Sequence, residues 1–219
     1  MSTFASDEEQ IEALQKWWKE NGNSLLIGVG IVLVVFFGGR AWQSARLDVT
    51  HTASDLYQQI ADTVIASPEL EVETIGEMIE LNRQLRAEHG DTIYARFAAL
   101  MMARLYVQQD NLDSAEEQLR WILDNPELGF MQKADPELAL TARLRLARIQ
   151  LAKGQYNEAL TTLAVIDAGS MSGAYAEAQG DIYMAQGMTE EARSAYQSAL
   201  DLAPAELPLL QLKLENLGN

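Results

Sequence analysis

The chain has 219 residues, with 16 Lys and Arg against 32 Asp and Glu, so its formal net charge is −16 at pH 7. That surplus of acid argues against a nucleic-acid binder, which needs clustered Lys and Arg to displace counterions from phosphate. Because the chain has no Cys, it has no disulfide, no thiolate nucleophile and no sulfur-ligated zinc. Its length suits one globular unit with an appendage.

The apolar segment Ser24–Gly39 reads SLLIGVGIVLVVFFGG and contains neither charge nor proline. Extended to Trp42, it approaches the roughly 20 apolar residues of a membrane-spanning helix. Trp17 and Trp18 precede it and Trp42 follows it, a pattern typical of side chains at the two membrane interfaces. The alternative is a cleaved signal peptide, but the segment lacks a small-x-small cleavage site and follows an acidic tail. We therefore predict a transmembrane anchor in the lipid bilayer over residues 24–42.

The tail before the anchor, residues 1–23, carries the spacing of a helix start at Ser6 and Glu9. Apolar residues then recur at helical intervals, at Ile11, Leu14 and Trp18. This pattern predicts a short amphipathic helix on the membrane surface that stops at Asn21-Gly22. A disordered tail is the alternative, since so short a helix is marginal in water.

Two features of the anchor concern its surroundings. Two basic residues precede it, Lys16 and Lys19, and two follow it, Arg40 and Arg46, so the positive-inside rule gives equal counts on both sides. Within the anchor, Ser24 and Gly28 form a small-xxx-small pair, which predicts contact with a partner transmembrane helix.

Beyond the anchor, residues 43–219 have the apolar spacing of helices. Residues 54–66 and 72–88 form a first helical pair, whose inward side chains we expect to include Leu56, Ile60, Val64, Ile75, Ile79 and Leu85. Residues 207–217 have the spacing of a terminal capping helix, although alternation at Leu210, Leu212 and Leu214 leaves a short strand as the alternative.

Between these ends, one pattern occurs three times: a helix end, a tight turn with Gly or Asp, and a new helix with an inward Ala. The three segments are VQQDNLDSAEEQL from Val107, LAKGQYNEALTTL from Leu151 and MAQGMTEEARSAY from Met184. Their alanines, Ala115, Ala159 and Ala192, are 44 and 33 residues apart, close to the roughly 34-residue tetratricopeptide period. About ten extra residues therefore lie between the first two units, around residues 125–136. We predict hairpins near 96–126, 140–168 and 173–204.

The third unit resembles a tetratricopeptide repeat most closely, through Gly180, Tyr183, Ala192, Tyr196, Ala199 and Pro204. Small Gly180 and Ala192 allow two antiparallel helices to approach, while the two tyrosines fill the gaps between successive helix pairs. The predicted fold class is all-α: a single N-terminal transmembrane helix followed by a tetratricopeptide-like helical-repeat (α-solenoid) domain.

Helical-repeat scaffolds present the first helix of each hairpin toward a concave groove. The predicted partner-binding groove displays Leu100, Arg104, Val107, Leu144, Arg148, Leu151, Glu177, Asp181 and Met184. The alternative is that the charged members form ion pairs within the chain, while a partner contacts the anchor or the outer surface.

No constellation of residues points to catalysis. His51 and His89 each lack a second His or a carboxylate at metal-ligand spacing. Adjacent acids such as Glu116 and Glu117 lie in a first helical turn, where negative charge suits the helix dipole. We therefore predict a protein that is not an enzyme, with no cofactor and no metal site.

With its segments assembled, the chain resembles the ancillary SecYEG translocon subunit family along nearly its whole length. The resemblance rests on DEEQIEALQKWWKENGNSLLIGVGIVL (Asp7–Leu33), WQSAR after the anchor, ARLRLARIQLAKGQYNEAL (Ala142–Leu160), GDIYMAQG (Gly180–Gly187) and the final LPLLQLKLENL. The opening segment is the most specific, because general repeat proteins lack this combination of tail and anchor.

The resemblance implies a single-pass protein of the bacterial inner membrane, with a cytoplasmic N-terminus and a periplasmic repeat domain. It also implies association with the SecYEG channel and with a membrane-anchored periplasmic chaperone of the prolyl-isomerase type. The implied role is to help newly translocated proteins, themselves possible partners while unfolded, to reach chaperones. The family is also implicated in negative regulation of an envelope-stress response. The alternative is a cytosol-facing regulator that sequesters a stress-response signalling protein.

Overall fold

The computed structural model describes residues 7–66, 72–126, 128, 135–165, 167–202 and 207–217. These residues form helices and connecting turns, which confirms the predicted all-α class. The α-helices are α1 (Asp7–Ala66), α2 (Val72–His89), α3 (Ile93–Gln108), α4 (Leu112–Asp124), α5 (Pro136–Ala152), α6 (Tyr156–Leu163), α7 (Ser172–Ala185), α8 (Thr189–Leu202) and α9 (Leu207–Asn216). A short 3₁₀ turn, Gly169–Met171, precedes α7. The predicted start signal at Ser6 and the helix-ending Pro204 lie outside the described residues.

Helix α1 is 60 residues long and passes through Asn21 and Gly22 without interruption. The stop predicted there is therefore wrong. An Asn or Gly inside a helix costs about 1 kcal/mol relative to Ala, which one long hydrogen-bond ladder tolerates. The Asn21 side chain donates to the Trp17 carbonyl oxygen at 3.2 Å, and the Trp18 ring lies against Gly22. The chain divides into two compact units, Met1–Thr52 and Ala53–Asn219.

Within the second unit, three helical hairpins share one turn geometry. The turns place Asp110, Gly154 and Gly187 at φ 58°, 72° and 75°, the left-handed conformation that ends many helices. In each turn, the next N–H donates to the carbonyl five residues back, from Asn111, Gln155 and Met188, at 2.8, 2.8 and 2.9 Å. The predicted tight turns with Gly or Asp are therefore confirmed.

Small residues let the paired helices approach. The repeated alanines Ala115, Ala159 and Ala192 are all fully buried. A Cβ built on Gly180 would lie closer than 3.0 Å to the Tyr196 ring, so only glycine fits there. The predicted close approach of α7 and α8 at Gly180 and Ala192 is confirmed.

The domain core forms three successive clusters of buried side chains. The first joins the end of α1 to α2, α3, α4 and one face of α5. The second lies among α5, α6 and α7, and the third among α7, α8 and α9. Each cluster thus joins neighbouring elements only, as expected of a helical repeat. In α2, Met78 is buried and Ile79 is 39% exposed, so the predicted inward position of Ile79 is wrong by one residue.

The C-terminal segment is the helix α9, and the alternative strand is wrong. Leu210 of α9 and Leu217, the residue that follows α9, are buried, while Leu212 is exposed, so the helical period decides the burial. Arg193 of α8 donates to the Leu217 carbonyl oxygen at 2.9 Å. Helix α9 therefore covers the apolar end of the last hairpin.

Candidate partner-binding surface

The N-terminal unit contains a helix that can cross a membrane. Leu14–Gln43 is 30 residues long, and its most apolar 18-residue window has a mean hydropathy of 2.1. Trp17, Trp18 and Trp42 are 48%, 51% and 51% exposed. Since 24 positions separate Trp18 from Trp42, they lie about 36 Å apart along the helix at 1.5 Å per residue. This spacing exceeds the roughly 30 Å hydrocarbon core and suits indole rings at the two interfaces.

The predicted contact pair within this helix, Ser24 and Gly28, is exposed. A Cβ on Gly28 would meet nothing within 4 Å, so this part of the helix surface is open to a neighbouring helix. Contact with a partner helix stays a prediction.

In the second unit, a surface cavity of about 490 Å³ opens between α3, α4 and α5. We call it the basic groove, because Arg104, Arg145 and Arg148 all line it. Its other walls are largely apolar and include Val107, Leu112 and Ile149. Arg104 and Val107 come from the exposed face of α3, and both arginines of α5 lie one helical turn apart.

The three arginines of the basic groove have no counter-charge among the described residues, where none of them forms an ion pair or hydrogen bond. Burial lowers the pKa of Arg145, and repulsion from Arg104 and Arg148 lowers it further. The groove therefore concentrates positive charge in a strongly acidic chain.

An aromatic recess of about 290 Å³ adjoins the basic groove and shares Arg104 and Arg145 with it. Tyr57 and Phe97 line the recess, with their ring centroids 6.1 Å apart. Phe97 is 38% exposed. Arginine and aromatic side chains around an apolar cavity are the composition of binding hot spots.

Two predicted groove residues belong to the core. Leu100 is 9% exposed and packs in the first cluster, and Leu144 is 5% exposed and packs in the second. Neither lines the basic groove, although Leu100 lines the adjoining aromatic recess; their contact with a partner stays a prediction. Leu151 is half-buried against the second cluster.

The predicted acidic members of the groove, Glu177 and Asp181, are neutralised within the chain. Lys213 of α9 contacts Glu177 at 2.6 Å and Asp181 at 2.7 Å, and the Tyr196 hydroxyl donates to Asp181 at 2.8 Å. We call these four residues the acidic clamp. Both carboxylates form ion pairs with α9, as the alternative to a partner-binding role expected; their contact with a partner stays a prediction. Nearby Met184 is 46% exposed.

The clamp also perturbs ionisation. Burial opposes the charge of Lys213, but its hydrogen bonds to Asp181 and Glu177 outweigh burial and raise its pKa. Burial is the largest cause of the raised pKa of Tyr196, and its hydrogen bond to Asp181 adds to it. These groups form a structural link between α7, α8 and α9.

Within the described residues, no group of three or more His, Asp or Glu is placed to hold a metal ion. What the basic groove can do chemically is bind: its guanidinium groups donate to carboxylate or phosphate oxygens while its walls take an apolar group. The sequence prediction missed Arg145, although its i, i+3 spacing from Arg148 was a usable signal. It also missed Tyr57, Phe97 and Lys213, which come from distant segments.

Successive helical hairpins with a capping helix and an apolar N-terminal helix define a membrane-anchorable helical-repeat scaffold. The family model of the tetratricopeptide repeat-like domain matches residues 15–219, so the chain belongs to this family. It is 29% identical over 220 residues to the ancillary SecYEG translocon subunit of Escherichia coli (strain K12), covering 100% of both chains. Proteins of the same name from Aggregatibacter actinomycetemcomitans and Haemophilus influenzae are 29% and 27% identical, over 99% of this chain and 100% of theirs. The resemblance to that family is confirmed.

Proposed function

We propose that this protein is a non-enzymatic scaffold ancillary to the SecYEG translocon, anchored in the bacterial inner membrane by the helix Leu14–Gln43. The observation that carries the proposal is full-length similarity to ancillary SecYEG translocon subunits, including the tail and anchor. In this proposal, Trp17, Trp18 and Trp42 lie at the two membrane interfaces, and Ser24 and Gly28 contact a transmembrane helix of the partner complex.

The N-terminus lies in the cytoplasm and the repeat domain in the periplasm. There the domain binds a membrane-anchored chaperone of the prolyl-isomerase type and helps newly translocated proteins to leave the channel. The partner-binding candidates remain Leu100, Arg104, Val107, Leu144, Arg148, Leu151, Glu177, Asp181 and Met184. Three of them, Arg104, Val107 and Arg148, line the basic groove, a cavity of about 490 Å³ that supports the assignment for those three. Repeat scaffolds commonly use such surfaces for binding.

The test is co-purification of the full-length chain from membranes in mild detergent. Recovery of both channel and chaperone components supports the proposal. Their absence, with the tagged protein intact and folded, would count against it.

A second experiment addresses topology: protease added to intact spheroplasts degrades a periplasmic repeat domain and spares a cytosolic one. Protection of the domain would favour the alternative, a cytosol-facing regulator of a stress-response protein.

A further inference from the structure

We propose that the basic groove docks an acidic protein segment that carries at least one apolar side chain. This inference rests on the partner-binding function proposed above and adds the chemistry of the segment that the partner supplies. It starts from three guanidinium groups, at Arg104, Arg145 and Arg148, on the walls of one cavity.

The positive charges of the basic groove favour an acidic occupant. The chain carries 32 acidic side chains and 16 basic ones, so on average two carboxylates are available to pair with each basic side chain. Lys153 has two, Asp113 and Glu116, at 2.5 and 2.7 Å, and Lys213 has two in the acidic clamp. The three groove arginines have none among the described residues, and they repel one another. In this proposal, their counter-charge comes from the docked segment.

The apolar lining of the basic groove favours an occupant that also carries an apolar side chain. Val107 is 44% exposed at the groove, and Phe97 is 38% exposed at the adjoining recess. The groove's volume of about 490 Å³ lies within the roughly 300–1,000 Å³ range of ligand cavities. An occupant with carboxylates alone would leave these walls wet. An occupant with an apolar side chain between carboxylates satisfies both the walls and the arginines.

The net charge of the chain favours a protein segment over a lipid surface as the occupant of the basic groove. A net charge of −16 repels an anionic bilayer, whose attraction depends on a broad basic face. A short acidic segment, in contrast, meets only the local charge of the groove. Arginine suits this occupant, because its planar fork binds carboxylates through two parallel hydrogen bonds. A second copy of this chain does not offer its acidic clamp, since Lys213 already occupies those carboxylates.

The test uses the full-length protein in detergent micelles and three fluorescein-labelled peptides of equal length: a Glu/Leu peptide, a Lys/Leu peptide and a Glu/Ser peptide. Fluorescence anisotropy gives the affinity of each. We expect the Glu/Leu peptide to bind more tightly than the other two. Arg104→Glu should weaken its binding about tenfold or more, as loss of a close charge pair does. Arg83→Glu is the matched control, because Arg83 is an exposed arginine of α2 and carries the same charge change; it should change binding less than about twofold.

Equal affinity for the Glu/Leu and Lys/Leu peptides would overturn the inference. So would binding that Arg104→Glu leaves unchanged, or displacement of the Glu/Leu peptide by phosphatidylglycerol added to the micelles, which would favour a lipid headgroup. If Arg104→Glu fails to fold, the milder Arg104→Gln decides by the same comparison. Co-purification from membranes remains a separate readout. Channel components recovered without peptide binding refute only this inference, whereas peptide binding without channel components refutes only the translocon assignment.

Discussion

Two charged regions of the repeat domain differ in whether their charges form ion pairs within the chain. At the acidic clamp, Glu177 and Asp181 are held by Lys213 of the capping helix at 2.6 and 2.7 Å. At the basic groove, Arg104 and its two neighbours have no ion pair within the described residues, although acids outnumber bases two to one. Both sets project from the first helices of hairpins.

The difference separates structure from binding. A partly buried ion pair fixes the position of α9 and closes the last hairpin, a structural use of charge. Three like charges with no ion pair among the described residues disfavour folding through repulsion. We therefore expect substitutions at the acidic clamp to change stability, and substitutions in the basic groove to change the partner binding proposed above.

The largest expected effect is on the clamp end, from Gly180→Leu. The new side chain would enter the space of the Tyr196 ring and displace the hydroxyl that donates to Asp181. Because overpacking commonly costs about 1–3 kcal/mol and here also breaks a hydrogen bond, we expect a loss of about 3 kcal/mol or more. Thermal unfolding of the full-length protein measures this loss.

The matched control is Gly76→Leu, in α2, where a Cβ meets nothing within 4 Å. Leucine should stabilise that helix by about 0.5–1 kcal/mol through its higher helix propensity. Equal unfolding temperatures for Gly180→Leu and the unmodified protein would show that the repeat register is wrong.

The second effect depends on pH and concerns Tyr175, whose hydroxyl donates from α7 to the Leu140 carbonyl of α5 at 2.8 Å. Burial raises its pKa from 10.0 to about 12, against a small opposing influence of Arg143. Because the folded pKa exceeds the unfolded one, the stability it contributes is complete below pH 10 and is lost as the pH rises through about 12. That difference corresponds to about 2–3 kcal/mol.

Tyr175→Phe removes the titrating group and keeps the ring. We expect it to cost about 1 kcal/mol at neutral pH through the lost hydrogen bond and to flatten the alkaline decline in unfolding free energy. Urea unfolding across the alkaline range tests this; a decline as steep as in the unmodified protein would refute the role of Tyr175.

The third effect is on the acidic clamp itself. Lys213→Met leaves Glu177 and Asp181 as unpaired, partly buried carboxylates. Since both carboxylates are partly exposed to solvent, we expect the free energy of unfolding to fall by about 1–2 kcal/mol, between the values for surface and buried pairs. Neutralising both acids as well, with Glu177→Gln and Asp181→Asn, should restore most of the loss. Arg83→Met, in an exposed pair with Glu80, is the control and should cost less than about 1 kcal/mol.

The smallest effect completes the comparison. Arg104→Gln in the basic groove should leave the unfolding free energy within about 0.5 kcal/mol of the unmodified protein, or raise it slightly, because one of three like charges is removed. Differential scanning calorimetry checks this. A clear destabilisation would mean that Arg104 has a structural partner, and that the two regions do not differ in the proposed way.

Local chemistry made the hairpins predictable. The turns at Asp110, Gly154 and Gly187 depend on residues within five positions, and the inward alanines follow directly after them. The close approach of α7 and α8 at Gly180 also follows from the small residue that the repeat pattern places there. Patterns of this kind are carried by neighbouring residues and can be found in a single sequence.

The candidate site was predicted only in part, because it depends on contacts between distant segments. Lys213 reaches Asp181 across 32 positions, and no local pattern specifies that the capping helix closes this end. The burial of Leu100 and Leu144 depends on which neighbouring helices cover α3 and α5. Asn21-Gly22, in turn, has the composition of a stop, but the long helix absorbs its cost.

The most direct test of the central claim is residue-resolved photocrosslinking of the full-length protein in native membranes. A photoreactive amino acid at Val107 reports on the basic groove, and one at Met184 reports on the surface beside the acidic clamp; both side chains are nearly half exposed, at 44% and 46%. We predict a crosslink from Val107 to a translocon or chaperone component that is lost in the Arg104→Glu/Arg148→Glu background, with a weaker crosslink from Met184 or none. A crosslink from Val107 that persists unchanged in that background, or one confined to Met184, would contradict the account.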